Sequence, residues 1–225
     1  LLGGEQGQCY PQAREKTSPP SKPFALPPPN RDMRRVYAYL MKHRHIDRDV
    51  ITHFARAGLL YEDETYHNVV FVGKDETGTA RHAHKRSTNS IGKAFRQNVL
   101  GSDPRYSFHH LGRDGSLFVF EAPIDLLSYL TLYSEDWKEH SYVACCGTSP
   151  IPVLTMLQRM KTPQAVYLCL DNDRAGHEAS LRMAEQIGER FNIASDRLTP
   201  EQKDWNDDLC VLRETPGQGL SMEMR

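Results

Sequence analysis

Three groups of carboxylates stand out by type and spacing. They are Glu121 after Leu117-Phe118-Val119-Phe120, Asp171-Asn172-Asp173 after Ala165 to Leu170, and Lys203-Asp204-Trp205-Asn206-Asp207 further on. Each comes where a β-rich apolar run stops, so an α/β sheet would bring all three to one edge. Gathered carboxylates repel by several kcal/mol at an effective dielectric of about 20. They stay ionised together only with a cation among them, and a lysine or arginine neutralising any of them would remove that need. Oxygen ligands of this kind suit magnesium or manganese, which points to phosphate chemistry. Two such ions about 3.5–4 Å apart serve both ends of an in-line displacement. Asp-x-Asp in extended backbone points both side chains the same way, so Asp171 and Asp173 could grip adjacent ions. Taken alone, the tripeptide reads more readily as a polar turn with Asp173 capping a helix, and only the other groups at matching positions turn the reading to a metal site.

The elements needed to position these groups can be read in order. After Gly115 strands and helices alternate: Leu117–Phe120 strand, Pro123–Leu132 helix with proline in its first turn, Ser141–Cys146 strand, a helix near Pro152–Met160, Ala165–Leu170 strand, Ala175–Phe191 helix, and a short strand near Asn192–Leu198 before the Asp204–Asp207 loop and a terminal helix. Such alternation predicts a mostly parallel sheet with helices on both faces. Ahead of it, Met33, Val36, Tyr37, Leu40 and Met41 form one helical stripe. Asp47 is the expected N-cap of a second helix that ends at Gly58. Asn68–Val72 and Thr79–Arg86 read as a hairpin around Asp75-Glu76-Thr77-Gly78, and Gly92–His110 as irregular with a short strand. The expected division is a proline-rich linker over 1–34, a smaller α+β subdomain over 35–111, an α/β unit over 112–213 and a flexible tail over 214–225.

Composition narrows the classes. Half of the fourteen prolines lie in residues 1–34, which predicts a solvated, disordered linker. A formal charge of −1 in 225 residues gives no whole-molecule attraction to nucleic acid or membrane, so any such partner needs a local patch. No apolar run approaches a membrane span and no signal peptide opens the chain, so no membrane partner is expected. The five cysteines lack C-x-x-C spacing, which suggests a reducing, cytoplasmic setting without a disulfide framework. The start at Leu1-Leu2 without methionine suggests a piece of a larger protein.

Several short motifs carry a resemblance. Phe120-Glu121-Ala122-Pro123-Ile124-Asp125, Cys146-Gly147-Thr148-Ser149, Leu170-Asp171-Asn172-Asp173-Arg174-Ala175-Gly176 and Lys203 to Leu209 resemble, in order and spacing, the Toprim (topoisomerase–primase) domain of bacterial DnaG-type DNA primases. Asn68–Arg86 resembles the N-terminal part of the primase catalytic core. Overall the chain is most similar to primase-like proteins of plasmids and conjugative elements. The resemblance implies a Toprim-type fold and specific roles. Glu121 would be a metal ligand or the proton-shuttling residue. Asp171 and Asp173 would chelate Mg2+ or Mn2+, with Asp125 supporting the cluster and Asp204 completing it. Arg174 and Gly176 would shape the turn and meet phosphate. Ala122 and Asn172 stand where glycine is usual. Asn206 stands where the family often has another carboxylate, which argues against a tightly held third metal.

From Thr77 to Ser102 there is no acidic residue, whereas Arg81, Lys85, Arg86, Lys93 and Arg96 are present. Beside a phosphate-chemistry site, with Lys203 and Arg174, they are the expected contacts for a nucleic-acid backbone, although the basic strand is expected to lie away from the metals. Phe95 or Tyr106 could stack an unpaired base. His82 and His84 share a strand face but lack a third ligand, so exposed polar histidines are expected rather than a metal pair. Trp205 is expected to pack its loop against the sheet. The resulting function is a primase-type nucleotidyltransferase acting on a single-stranded DNA template with nucleoside triphosphates, in replication or transfer of a mobile element, with a helicase or relaxase as partner. A Toprim nuclease and a non-catalytic nucleic-acid-binding module are the alternatives. No G-x-x-x-x-G-K-[ST] loop, the usual companion of such nucleases, is present.

Overall fold

The computed structural model describes residues 23–89 and 95–214. Apolar residues three and four apart give α1 (Arg34–Lys42), which buries Val36, Tyr39 and Leu40, and α2 (Arg48–Arg56), which buries Val50, Ile51 and Phe54. Gly58, at φ +64, turns the chain out of α2. Asp47 occupies the N-cap position of α2, but its carboxylate makes no cap bond and instead accepts from Arg213 Nη2 at 3.0 Å.

An antiparallel sheet follows in the order β1 (Leu60–Glu62), β2 (Val69–Lys74), β3 (Ala80–Arg86) and β4 (Arg96–Asn98). The Asp75 carboxylate shapes the β2–β3 turn by accepting from the N–H groups of Thr77 and Thr79, both at 3.0 Å. Residues 27–30, expected within the linker, instead dock on β1. The Asn30 N–H donates to the Glu62 carbonyl at 2.8 Å, and the Glu64 N–H to the Pro28 carbonyl at 2.9 Å. The open edge of β1 offers the backbone groups that hold them. The rest of the expected linker, residues 1–22, lies outside the described residues, as do 90–94 and 215–225.

The second sheet runs β5 (His109–His110), β7 (Ser141–Ala144), β6 (Ser116–Phe120), β8 (Ala165–Leu168), β9 (Ser195–Arg197). β6, β7, β8 and β9 are parallel to their neighbours, and β5 is antiparallel at one edge. Period-two alternation in β6 sends Leu117 and Val119 to α4 (Ile151–Arg159) and α5 (Arg174–Phe191). Phe118 and Phe120 go to the opposite face, with α3 (Pro123–Leu132) and α6 (Trp205–Glu214). The chain passes from β6 to β7 on one side and from β7 to β8 on the other, so the strand order reverses at β6. Ligand crevices form beyond the carboxyl ends of strands at such a point.

The two sheets share one core. Phe108, just ahead of β5, packs on Phe54 and Phe71 with ring centroids 4.9 and 5.2 Å apart. At the hairpin tip Glu76 accepts from Arg159 of α4 at 2.9 Å. Gly73 admits the segment after β4 so closely that an added Cβ would meet the Tyr106 carbonyl oxygen at 1.5 Å. Gly73→Ala should therefore destabilise the protein at the upper end of the roughly 1–3 kcal/mol typical of overpacking, because a backbone atom cannot rotate away. Urea unfolding of the variant measures this, and a loss below about 0.5 kcal/mol would contradict the close approach.

Candidate metal and phosphate site

Glu121 follows β6 directly, and Asp171 follows Leu168-Cys169-Leu170 beyond β8, so both stand in the crevice. Asp173 is the N-cap of α5 and accepts from the Gly176 N–H at 2.9 Å. Gly176 belongs here because a Cβ would meet the Asp171 carbonyl oxygen at 2.2 Å. Asp204 stands just ahead of α6 and accepts from the Asp207 N–H at 2.8 Å. Asp125, in the first turn of α3, is buried and accepts from the backbone N–H of Asn206. The helix-cap reading of Asp173 is thus correct, and it coexists with a place in the acidic cluster.

The electrostatics show that these groups sense one another. Burial pushes Asp171 up to about 7, with Glu121, Asp204 and Asp173 adding repulsion. Burial likewise raises Glu121, opposed by Arg96 and reinforced by Asp173. Asp125 is held well above the usual carboxylate range by burial and then by Asp204, Asp171 and Glu121. Asp171 Oδ1 is buried with no hydrogen-bond partner among the described residues. A buried carboxylate oxygen without a donor is costly and fits a ligand that supplies positive charge. Among the described residues no three His, Cys, Asp or Glu side chains converge tightly enough to enclose an ion alone. An all-oxygen set offering one or two carboxylates at a time nevertheless suits magnesium, which keeps several waters and completes its shell with phosphate oxygens.

The expected basic contacts do not form one surface. β2–β3 and β3–β4 pairing places Arg86 opposite Val69 and Arg96, and Lys85 opposite Val70 and Gln97. Cross-strand partners share a face and successive residues alternate. Arg86 and Arg96 therefore lie on the face turned to the main core, and Lys85 on the other, with Val70 and Val72. Arg81 has the parity of Lys85 and is tied to Asp75 at 2.7 Å near the far end of the hairpin. Lys93 lies outside the described residues. The expectation that the basic strand is remote from the carboxylates needs correction, since Arg96 Nη2 approaches Glu121 Oε1 to 3.9 Å. That separation is too long for a direct hydrogen bond and leaves the net effect on Glu121 upward. Lys203 lies near enough to oppose the rise at Glu121 and Asp171. Arg174, highly exposed, pairs along α5 with Glu178 at 2.8 Å.

Other residues behave differently from their expected roles. His82 and His84 are buried, not exposed, and burial lowers both pKa values, that of His82 to about 4. The reason is the same alternation, which turns them inward with Arg86 and Phe71. Trp205 does pack its loop, donating from Nε1 to the Cys169 carbonyl at 2.8 Å and meeting Tyr129 edge-on. Two sets of supporting contacts escaped the sequence reading. Arg197 donates to the Asp171 and Gly176 carbonyls, both at 3.0 Å, and clamps the acidic turn. Asn206 is buried and ties the Arg44 carbonyl, at 2.8 Å, to the Ser128 hydroxyl, at 2.9 Å. Arg44 comes from the distant α1–α2 connection, and nothing in its spacing signals the site.

Comparison with known proteins agrees with this architecture. Residues 118–209 match the Toprim-like family, and residues 38–114 match a family described as a protein of unknown function, DUF3991. An uncharacterized Bacillus anthracis protein, pXO2-78, is 29% identical over 194 residues, which cover 77% of this chain and 56% of that protein. The chain thus spans little more than half the length of this curated relative. In structure it is similar to the primase fragment of the bacteriophage T7 primase-helicase protein, with TM-score 0.57 and 16% identity over 77% of this chain and 68% of that one. It is also similar to the E. coli primase catalytic core, with TM-score 0.54 and 16% identity over 81% and 70%. The protein carries a Toprim-like domain. Its fold is that of primase catalytic cores.

A pH dependence follows from the raised carboxylates. A carboxyl whose folded pKa exceeds its unfolded value favours folding fully below the unfolded value, and that contribution is lost as pH rises through the folded one. For Asp171 the window runs from the ordinary aspartate value of 3.8 to about 7. In chelator the melting temperature should therefore fall as pH rises across this window. Asp171→Asn should melt several degrees above wild type at about pH 8 and match it at about pH 4. Calorimetry at both pH values checks this, and equal melting temperatures at pH 8 would show that the carboxylates are not in conflict.

Proposed function

We infer that the protein is a metal-dependent nucleotidyltransferase of primase type, which builds short primers on single-stranded DNA from nucleoside triphosphates. The observation that carries the reading is the convergence of Glu121, Asp125, Asp171, Asp173 and Asp204 at the strand-order switch, with Asp171 Oδ1 buried and unpartnered. The primase-core fold around them favours primer synthesis over other phosphate chemistries. In this reading residues 112–213 form the catalytic unit and 35–111 the template-facing unit.

Asp171, Asp173 and Asp204 would hold Mg2+ or Mn2+, with Asp125 as their buried support. Divalent ions bound there would offset charge on the attacking oxygen and on the leaving pyrophosphate. Glu121, raised by burial, is the group suited to take the proton of the attacking 3′-hydroxyl. Arg86, Arg96 and Lys203 supply positive charge on the template and triphosphate side, and Arg174 extends it along α5. Lys85 and Arg81 would meet only a strand leaving over the opposite hairpin face. The cellular setting in this reading is cytoplasmic replication or transfer of a mobile element, with a helicase or relaxase as partner. Among the described residues no helix is long and apolar enough to cross a membrane.

Purified protein, a single-stranded template, labelled nucleoside triphosphates and Mg2+ or Mn2+ should give short extended products. Asp171→Asn and Asp173→Asn should each lose more than the roughly 100-fold that removal of a mere supporting partner of a metal ligand costs. Metal-dependent shortening of the template without any extension would replace this reading with a nuclease. Template binding without either reaction, unchanged by both substitutions, would leave only a binding module.

A further inference from the structure

Outside the acidic cluster, two arginines meet with no salt-bridged carboxylate among the described residues. Tyr39, buried in α1, has its hydroxyl approached by Arg44 Nε at 2.9 Å and by Arg86 Nε at 3.4 Å. Two guanidinium groups therefore converge on one neutral oxygen. Arg44 comes from the α1–α2 connection and Arg86 from the end of β3. Neither lies within 4.0 Å of a carboxylate among the described residues, although Asp207 is near enough to feel Arg44. Arg86 also faces Arg96 directly across the β3–β4 ladder, where like charges are destabilising. Among the described residues Arg96 alone of the three has a carboxylate contact, the 3.9 Å approach to Glu121.

The position of Arg44 is fixed independently. Its Nη1 donates to Asn206 Oδ1 at 2.9 Å, and its guanidinium lies 5.4 Å from the Tyr39 ring centre. Through Asn206, whose backbone N–H serves Asp125, the arginine row is bolted to the carboxylate cluster. Arg86 has no hydrogen bond from either Nη to a described residue. Half-buried arginines with no salt-bridged carboxylate among the described residues, and with Arg44 Nη2 and both Nη of Arg86 making no hydrogen bond to a described residue, have donors left for an anion that offers several oxygens at once.

We propose that Arg44 and Arg86, aligned by the Tyr39 hydroxyl, form a phosphate clamp that continues the row begun by Arg96 away from the carboxylates. Its ligand is a phosphate chain, supplied either by the template backbone or by the triphosphate of the incoming nucleotide. The inference rests on the proposed reaction for its substrate class, but not for its geometry.

The test is binding rather than turnover. Anisotropy of a labelled single-stranded oligonucleotide and of a labelled nucleoside triphosphate is measured in chelator and in Mn2+, over a range of salt. The proteins are wild type, Arg44→Gln, Arg86→Gln, their lysine counterparts and Tyr39→Phe, each checked for folding by circular dichroism. Each glutamine variant should weaken one probe by about tenfold or more, the usual scale for a lost charged hydrogen bond. For the oligonucleotide, the salt slope should fall by about one per arginine removed. The lysine variants should recover most of that slope, and Tyr39→Phe should show a smaller loss of the same kind. Loss on the oligonucleotide alone assigns the clamp to the template, and loss on the nucleotide alone assigns it to the triphosphate. Affinities for both probes within about twofold of wild type overturn the clamp, as does a loss of oligonucleotide affinity with the salt slope unchanged, because that marks a folding role rather than a lost phosphate contact. If binding falls as expected but no variant or wild type makes primers, the clamp stands and the proposed reaction fails.

Discussion

Carboxylates drawn out of water beside one another repel, and this fold assembles five of them at one sheet edge. Burial first, and their mutual repulsion after it, displaces Asp171, Glu121 and Asp125 upward. Side-chain packing alone could relieve it by letting the acidic turn drift toward solvent. Backbone contacts prevent that. The helix start at Gly176 is packed against the Asp171 carbonyl, Arg197 clamps the same carbonyl from β9, and the Asn172 N–H is held by the Lys203 carbonyl at 2.7 Å. The acidic turn and the Asp204 loop thus move as one piece, and rigid support of this kind is what a site needs to hold charges near a substrate.

A second constraint is the two-residue period of β-strands. In β3 it decides which basic residues can act beside the carboxylates. His82, His84 and Arg86 share the inward face, and the two histidines are buried and held toward neutrality. Arg86 continues that face to the strand end, where the core stops and the crevice begins. A slip of one residue would exchange Arg86 for Lys85 and bury charge against Phe71. Phe71 opposite His84 and Val69 opposite Arg86 penalise such a slip strongly. Packing of the hairpin therefore also fixes the electrostatics of the site.

Much of this was legible from sequence because the signals are local. The strand–helix alternation after Gly115, the proline at the start of α3 and the Asp-x-Asp turn each depend on neighbours in the chain. The basic stretch was legible only as composition. Its sorting into Arg86 and Arg96 on one face and Arg81 and Lys85 on the other requires the register of three strands. The inward turn of His82 and His84 was hidden for the same reason. Arg44 and Asn206 lie 162 residues apart, and their contact follows from how the α1–α2 connection meets α6, which no spacing reveals. The docking of residues 27–30 on β1 was equally non-local, since proline-rich composition says nothing of an open sheet edge nearby.

The cap and ligand readings of the acidic residues are physically compatible. A carboxylate has two oxygens with about four acceptor sites, so capping a helix uses only part of its capacity. Asp173 gives Oδ1 to the first turn of α5, and Asp204 gives Oδ1 to the first turn of α6. Asp125 takes a backbone N–H from that same turn of α6. Two helix N-termini, each with the partial positive charge of its unpaired N–H groups, therefore face the cluster. Those N–H groups lower the cost of gathering the carboxylates before any cation arrives, yet Asp171 Oδ1 has no hydrogen-bond partner among the described residues. The helix termini give donors to the outer members of the cluster and leave an oxygen of Asp171 without one, beside the point between β6 and β8 where the strand order reverses.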